Sequence, residues 1–333
     1  MSYIKAIAYY LPERVVTNEE LVADFPQWTV EKIASKVGVN QRHVAALNET
    51  STDMAVAAAE KLFFSHAEIK KEAIDFVIFC TQTPDYILPT SACLIQHRLG
   101  LEKSIGAFDY NLGCSGYVYG LAIAKSLVVS EVARNVLLLT AETYNKHIHP
   151  RDKGNRTIFG DAASATIVSN EGYAKIGEFA LGTDGSGANN LIVKTGGARN
   201  PEKNGDLKFD KDGNPLSSDY LYMNGGEILS FTQENVPKVV SQTLERNGLT
   251  KDDIDLCVFH QANKYMLDFL RMKLKVDKEK FYVNMSQVGN TVSNSIPIAL
   301  CDAQKENKLH GNILLSGFGV GYSWAGVVIT TGK

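Results

Sequence analysis

The apolar residues of this chain fall into two alternating rhythms. Short runs such as FVIFC before Thr81, VLLLT after Asn135, LCVF before His260 and ILLS after Asn312 lack the every-second-residue alternation of a half-exposed strand, which predicts strands buried on both faces. Between them, GYVYGLAIAKSLVVSEV and NKYMLDFLRMKLK space their apolar residues as helices do. Alternating buried strands and helices build a mostly parallel sheet covered by helices, so the expected class is α/β.

The rhythm is written twice. EAIDFVIFCTQT and DDIDLCVFHQAN each read as acidic turn, buried strand and loop, with Ile74 and Ile254 180 residues apart. SIGAFDYNLGCSG and EKFYVNMSQVGNT end at Cys114 and Asn290, 176 apart, and ARNVLLLTAE matches HGNILLSGFG at an offset of 177. Three matches in order predict duplicated α/β halves: residues 1–175 carrying Cys114, and 176–333 carrying His260 and Asn290. The Gly-, Asn- and Asp-rich stretch from about Gly182 to Tyr222 is expected as an inter-half loop and pocket lid.

With 333 residues, 44% hydrophobic and 21% charged, the chain has material for a sizeable core. A formal net charge of -3 gives no global pull toward nucleic acid or an anionic membrane surface. No apolar run reaches the ~18 residues of a membrane span and the N-terminus lacks a signal-peptide core, so a cytoplasmic protein is expected. The cysteines, 80, 93, 114, 257 and 301, are odd in number and mostly set in apolar strings, as buried thiols of a reducing compartment are.

Cys114 carries the first candidate chemistry. It stands where a strand ends, two glycines allow a tight turn and a helical pattern begins, so its thiol is expected at a helix N-terminus, which favours the thiolate. A small buried hydrophobe is the plain alternative. His260 and Asn290 end matching strands of the second half, where sites of α/β folds form. Taken singly, the histidine reads as a satisfied core group and the asparagine as a helix cap. Together with Cys114 they would meet at one centre across a pseudo-twofold axis, and a neutral imidazole and a carboxamide can both donate to a thioester carbonyl. The glycine-rich GFGVG after the last apolar run offers backbone N–H groups for an oxyanion hole, though such turns are common in purely structural roles. His147 and His149 lack a third ligand at a recognisable spacing, DKDGN lacks the glycine position and acid of a calcium loop, and no metal is expected.

These motifs identify a resemblance. GCSGYVYGL, FGDAASA, HQAN, GNT and GFGVGYSW together, spread over essentially the whole chain, resemble the β-ketoacyl-[acyl-carrier-protein] synthase III family. The resemblance implies a five-layered αβαβα thiolase fold, a homodimer and an acyltransferase of fatty-acid initiation with no bound cofactor, its substrates being carried on the phosphopantetheine of an acyl carrier protein or on CoA. Cys114 would take an acyl group, and His260 and Asn290 would hold malonyl carrier while it loses carbon dioxide. The N–H groups of Cys114 and Val320 would form the oxyanion hole. Phe159, Leu191, Asn263 and Gly319 would contact substrate, and so would Leu88, reaching across the dimer.

Departures from the family bear on the donor. A tryptophan and an arginine that sandwich adenine are replaced at matching places by Lys32 and Lys153, with Trp28 four residues out of register, and Gly226 stands for an asparagine. Leu88 replaces an aromatic gatekeeper, which implies room for an acyl group larger than acetyl. Lys264, Arg271 and Lys275 are spaced to share one helix stripe and are expected to dock an acidic carrier, an ordinary solvated face being the alternative. Two rival functions remain at this point: a cysteine hydrolase, whose local signature is absent, and a relative of the same fold that passes the acyl group to an amine or hydroxyl.

Overall fold

A computed structural model describes residues 1–332 of the chain. Its main sheet has nine strands: β1 (Tyr3–Tyr10), β2 (Phe76–Cys80), β3 (Gly106–Tyr110), β4 (Asn135–Glu142), β5 (Ala162–Ser169), β6 (Ala174–Thr183), β7 (Leu256–Phe259), β8 (Asn312–Gly319) and β9 (Ser323–Thr331). Their order is β7-β8-β9-β6-β1-β5-β4-β2-β3. β2 pairs in parallel with β3 and β4, and β7 in parallel with β8, while β5, β1, β6 and β9 pair antiparallel. The repeat seen in the sequence is therefore a repeat of topology, β1-β2-β4-β5 against β6-β7-β8-β9. The counterpart of β3 is reduced to a single parallel bridge, Cys257 to Phe281. The halves join through β1 and β6 over just two residue pairs, Tyr3 with Lys175 and Ile4 with Ala174.

Alternation along the buried runs makes the layers. In β2 and β4, Ile78, Val136 and Leu138 face one core while Val77, Phe79, Leu137 and Leu139 face another. The first core lies between the halves and holds α3 (Gly116–Val129) and α6 (Ser295–Lys305), which pack against inward residues of both, including Val258, Leu315 and Val327. α1 (Ser51–Ser65) and α2 (Ser91–Leu99) cover the outer face of the first half. α4 (Gly225–Arg246) and α5 (Lys264–Leu274) cover that of the second. Helix, sheet, helix, sheet, helix is the five-layered thiolase arrangement. Each strand buried on both faces removes apolar surface from water twice over, which is why these runs are continuously hydrophobic.

The Gly- and Asn-rich stretch differs in place from its expectation. It follows β6, the first strand of the second half, so it is an excursion within that half, built of short two-residue strands such as Lys208–Phe209 and Pro215–Leu216. Its composition could not reveal that β6 precedes it, because β6 alternates buried and exposed residues and ends in glycine and threonine.

Candidate active site

Cys114 lies in the turn between β3 and α3, 7% exposed. The turn closes through the Gly116 N–H donating to the Gly113 carbonyl at 2.8 Å. Neither glycine can be larger: a Cβ on Gly113 would sit 2.6 Å from Gln82 Oε1, and one on Gly116 would strike Cys80 Sγ. From the other half, β8 ends against the same turn. A Cβ on Gly319 would lie 2.9 Å from both Cβ and Sγ of Cys114, and one on Gly317 would lie 2.8 Å from the Cys114 carbonyl oxygen. Gly319→Ala is therefore expected to displace the nucleophile, lowering acyl transfer to Cys114 by about 10² with little loss of melting temperature, read from adduct formation and a thermal melt.

The N–H groups of Cys114 and Val320 both reach the sulfur and favour its anion. Two serines hold them in register: Ser115 Oγ is 2.6 Å from Ser323 Oγ, and the Ser323 hydroxyl donates to the Val320 carbonyl at 2.9 Å. The thiol is nevertheless pushed up to about 12, by burial first and then by the charge of Glu142. This corrects the expectation of a depressed pKa from the helix N-terminus. Taking the sulfur out of water disfavours the thiolate by more than the dipole and two N–H groups restore.

His260 follows β7 and is buried, its ring edge-on to Phe318 at 5.6 Å between centroids. Burial holds its pKa at about 3, partly opposed by the backbone of Val292, so the ring is neutral at physiological pH. Nδ1 is 2.7 Å from Ser295 Oγ. Asn290 is oriented by its Oδ1, which accepts from Val292 N at 2.9 Å, and its Nδ2 donates to the Ala262 carbonyl at 3.3 Å. That nitrogen is 3.5 Å from His260 Nε2. When the Ser295 hydroxyl donates to Nδ1 rather than to the Val292 carbonyl at 3.1 Å, Nε2 carries the proton, and two donors at this separation can converge on one oxygen.

The twin turns meet, as duplication requires. Val292 shares an apolar cluster with Cys114, Phe159 and Leu191. Phe159 and Asn290 form a parallel bridge, flanked by Asn290 N donating to Ile158 O at 2.9 Å and Gly160 N to Asn290 O at 3.0 Å. Leu88 stands apart, 79% exposed beside Ile87, and makes no part of the cluster within one chain. Asn263 caps α5, its Oδ1 accepting from Met266 N at 2.9 Å.

Of the basic stripe, Lys264 and Arg271 lie on α5 and Lys275 at its C-cap. α5 ends at Leu274, and Lys275 turns into the left-handed region at φ 55° as its C-cap. Lys264 is paired with Asp268 at 2.5 Å, and Arg271 donates to the Val276 carbonyl at 3.3 Å. Lys32 lies over the Trp28 ring at 5.1 Å, so an aromatic and a cation share the place where the family's tryptophan was expected. Lys153 donates to the Asp212 carbonyl at 3.0 Å.

Glu142, at the end of β4, was overlooked in the sequence although an apolar run closing on an acid marks a buried carboxyl. It accepts from Gln82 N at 3.1 Å, and from the hydroxyls of Thr83 and Ser293, both at 3.3 Å, linking both halves beside the nucleophile. Burial raises its pKa well above the usual carboxylate range. Because the folded state then holds a proton that the unfolded chain has lost, stability present at low pH falls as pH rises toward the folded pKa. Asp161, raised to about 6, acts with the same sign at lower pH, and His260, lowered to about 3, acts with the opposite sign below its ordinary 6.5. Glu142 therefore contributes a decline of stability that starts above the ordinary carboxylate range and continues toward its raised folded pKa. Glu142→Gln is expected to flatten the decline of melting temperature there, and equal slopes in the two proteins would refute the assignment. Ser295 was also overlooked, although it lies five residues after Asn290 in the same turn.

Among the described residues, no group of three or more His, Cys, Asp or Glu is placed to hold a metal ion, and no helix is long and apolar enough to cross a membrane.

Family models described as 3-oxoacyl-[acyl-carrier-protein (ACP)] synthase III, and the C-terminal part of the same, match residues 108–185 and 244–331. A β-ketoacyl-[acyl-carrier-protein] synthase III of Caldanaerobacter subterraneus subsp. tengcongensis is 35% identical over 331 residues, covering 97% of this chain and 96% of its own. A crystal structure of a 3-oxoacyl-(acyl-carrier-protein) synthase III is 49% identical with a TM-score of 0.96, covering 99% of both chains. The priming β-ketosynthase of the R1128 polyketide biosynthetic pathway is 29% identical with a TM-score of 0.88, over 100% of this chain and 97% of its own.

Proposed function

The chain belongs to the β-ketoacyl-[acyl-carrier-protein] synthase III family, and on that premise we propose that Cys114, His260 and Asn290 divide its condensation between them. The enzyme is an acyltransferase that joins an acyl thioester to malonyl carrier with loss of carbon dioxide. In the first half-reaction the Cys114 sulfur attacks the donor carbonyl. The donor's C–S bond breaks, the carrier thiol leaves with the proton, and the N–H groups of Cys114 and Val320 stabilise the tetrahedral oxyanion. In the second, the malonyl thioester oxygen accepts from His260 Nε2 and Asn290 Nδ2 while the bond to its carboxylate breaks. The enolate carbon attacks the acyl-Cys114 carbonyl, the bond to sulfur breaks, and the sulfur leaves as a thiolate that takes up a proton from water to restore the thiol.

One observation carries this division most directly: Asn290 Nδ2 and the Nε2 of a neutral His260, 3.5 Å apart, buried beside the nucleophile turn. A neutral imidazole stabilises an enolate oxygen without trapping the departing carboxylate as a cation would. Phe159, Leu191 and Gly319 are proposed to bound the acyl group, with Asn263 near the pantetheine path. Leu88 is proposed to serve the site of a second copy in a homodimer, which accounts for its exposure here. The carrier protein is proposed to dock by way of Lys264, Arg271 and Lys275, and a cytoplasmic location is proposed with it.

The test incubates purified enzyme with acyl-CoA and acyl-carrier donors, with and without malonyl carrier, and follows protein mass and products. An adduct on Cys114 that malonyl carrier converts to a β-ketoacyl product is expected. An adduct discharged only by an amine or hydroxyl acceptor would replace this reading with simple acyl transfer.

A further inference from the structure

Among the described residues, five that are not glycine hold φ in the left-handed region: Glu131, Lys275, Val292, Asn307 and Tyr322. Glu131, Lys275 and Asn307 are exposed and stand at the ends of α3, α5 and α6, where a left-handed residue is an ordinary way to leave a helix. Val292 and Tyr322 are buried, and each stands two residues beyond a group of the site, Asn290 and the Val320 N–H. At Val292 φ is 55°, a conformation that a side chain branched at Cβ tolerates poorly.

Contacts on three sides hold it there. Its N–H donates to Asn290 Oδ1 at 2.9 Å, closing a turn that leaves the carboxamide nitrogen 3.5 Å from His260 Nε2. Its side chain is fully buried in the Cys114 cluster, with Cγ1 3.4 Å from the place a Cβ on Gly113 would take. Beyond it, Ser293 Oγ donates to Glu142 Oε1 at 3.3 Å and Asn294 Oδ1 accepts from the Thr140 hydroxyl at 2.5 Å, both partners lying on β4 of the first half. With Ser293 and Asn294 anchored on β4, a change of φ at Val292 to the relaxed negative region displaces what precedes it, the Val292 N–H and Asn290 included. Strain of this kind persists only where the surroundings over-determine the backbone.

We propose that Val292 is a positioning residue of decarboxylation: its left-handed backbone, held against its own preference by packing on the Cys114 turn, aims the Asn290 carboxamide. The inference rests on the reading of Asn290 as a donor to the malonyl thioester. It gives Val292 itself no part in bond making.

The experiment compares the wild type with Val292→Ala, Val292→Gly and Asn290→Ala, following Cys114 adduct formation and carbon dioxide release from malonyl carrier separately, with a thermal melt of each. Alanine keeps the strain and loses the packing that holds it, whereas glycine enters the left-handed region freely. Val292→Ala is expected to lower kcat for carbon dioxide release about tenfold with KM for malonyl carrier little changed, and Val292→Gly to recover about fivefold of that, adduct formation staying within about twofold in both. Packing alone gives the opposite order, since alanine keeps more of the side chain. Carbon dioxide release that is equal in the two variants, or higher in the alanine one, therefore overturns the proposal, and so does adduct formation that falls in step with it. If Asn290→Ala leaves carbon dioxide release unchanged, the reading of Asn290 fails beneath the proposal, whereas a loss in Asn290→Ala with none at Val292 removes this inference alone. Should neither Val292 variant fold, hydrogen exchange of the wild type decides: a Val292 amide held by Asn290 Oδ1 exchanges as slowly as the amides of β8, and exchange at the rate of an exposed loop overturns the proposal.

Discussion

Cys114→Ala leaves no acyl adduct with any donor and lowers β-ketoacyl product below about one part in 10³. The substitution fits the fold, since the side chain is buried among Phe159, Leu191 and Val292 and loses only its sulfur. What it does not remove is the pair His260 and Asn290. Decarboxylation draws on those two donors and not on the sulfur, so malonyl carrier is expected to go on losing carbon dioxide, uncoupled, to yield acetyl carrier. The assay therefore follows carbon dioxide and β-ketoacyl product separately. If both vanish together, the division of labour proposed here is wrong.

His260→Ala produces the complementary result. The adduct still forms, because the N–H groups of Cys114 and Val320 reach the sulfur independently of the imidazole. Carbon dioxide release falls by about 10² to 10³, the cost of a missing oxyanion donor. The buried ring titrates at about 3, so over the range where the protein is handled the wild type shows no acid limb from this residue. An adduct that fails to form in His260→Ala, with the melt unchanged, would make the histidine the base for Cys114 instead. Ser295→Ala tests the same geometry more gently: losing the Nδ1 partner at 2.7 Å frees the ring to choose the wrong tautomer, and condensation falls while adduct formation holds.

Much of this was legible before any coordinates. The doubled order of apolar runs gave away the duplication, and duplication alone brought Cys114 and Asn290 to facing turns, because equivalent strand ends of a pseudo-twofold fold converge. What escaped were features whose physics is three-dimensional. The pKa of Cys114 depends on how much water burial removes, which a helix N-terminus read from sequence does not report. The spacing of Lys264, Arg271 and Lys275 did not show that the helix ends there, with Lys275 as its αL cap. Ser115, Ser295 and Glu142 passed unnoticed because serines at turns and an acid at a strand end are ordinary in sequence. They become distinctive only when their partners, Ser323, His260 and Ser293, arrive from far along the chain.

The central helix layer has a consequence for how the protein is made. When the first half leaves the ribosome, α3 lies on its sheet while α6 and strands β7 to β9, which share its apolar cluster, have yet to arrive. Those elements are synthesised after the first half, the strand β9 ending at Thr331. Throughout translation of the second half, the nascent chain carries the nucleophile and an incompletely covered apolar layer together, a state prone to aggregation until β9 closes the layer.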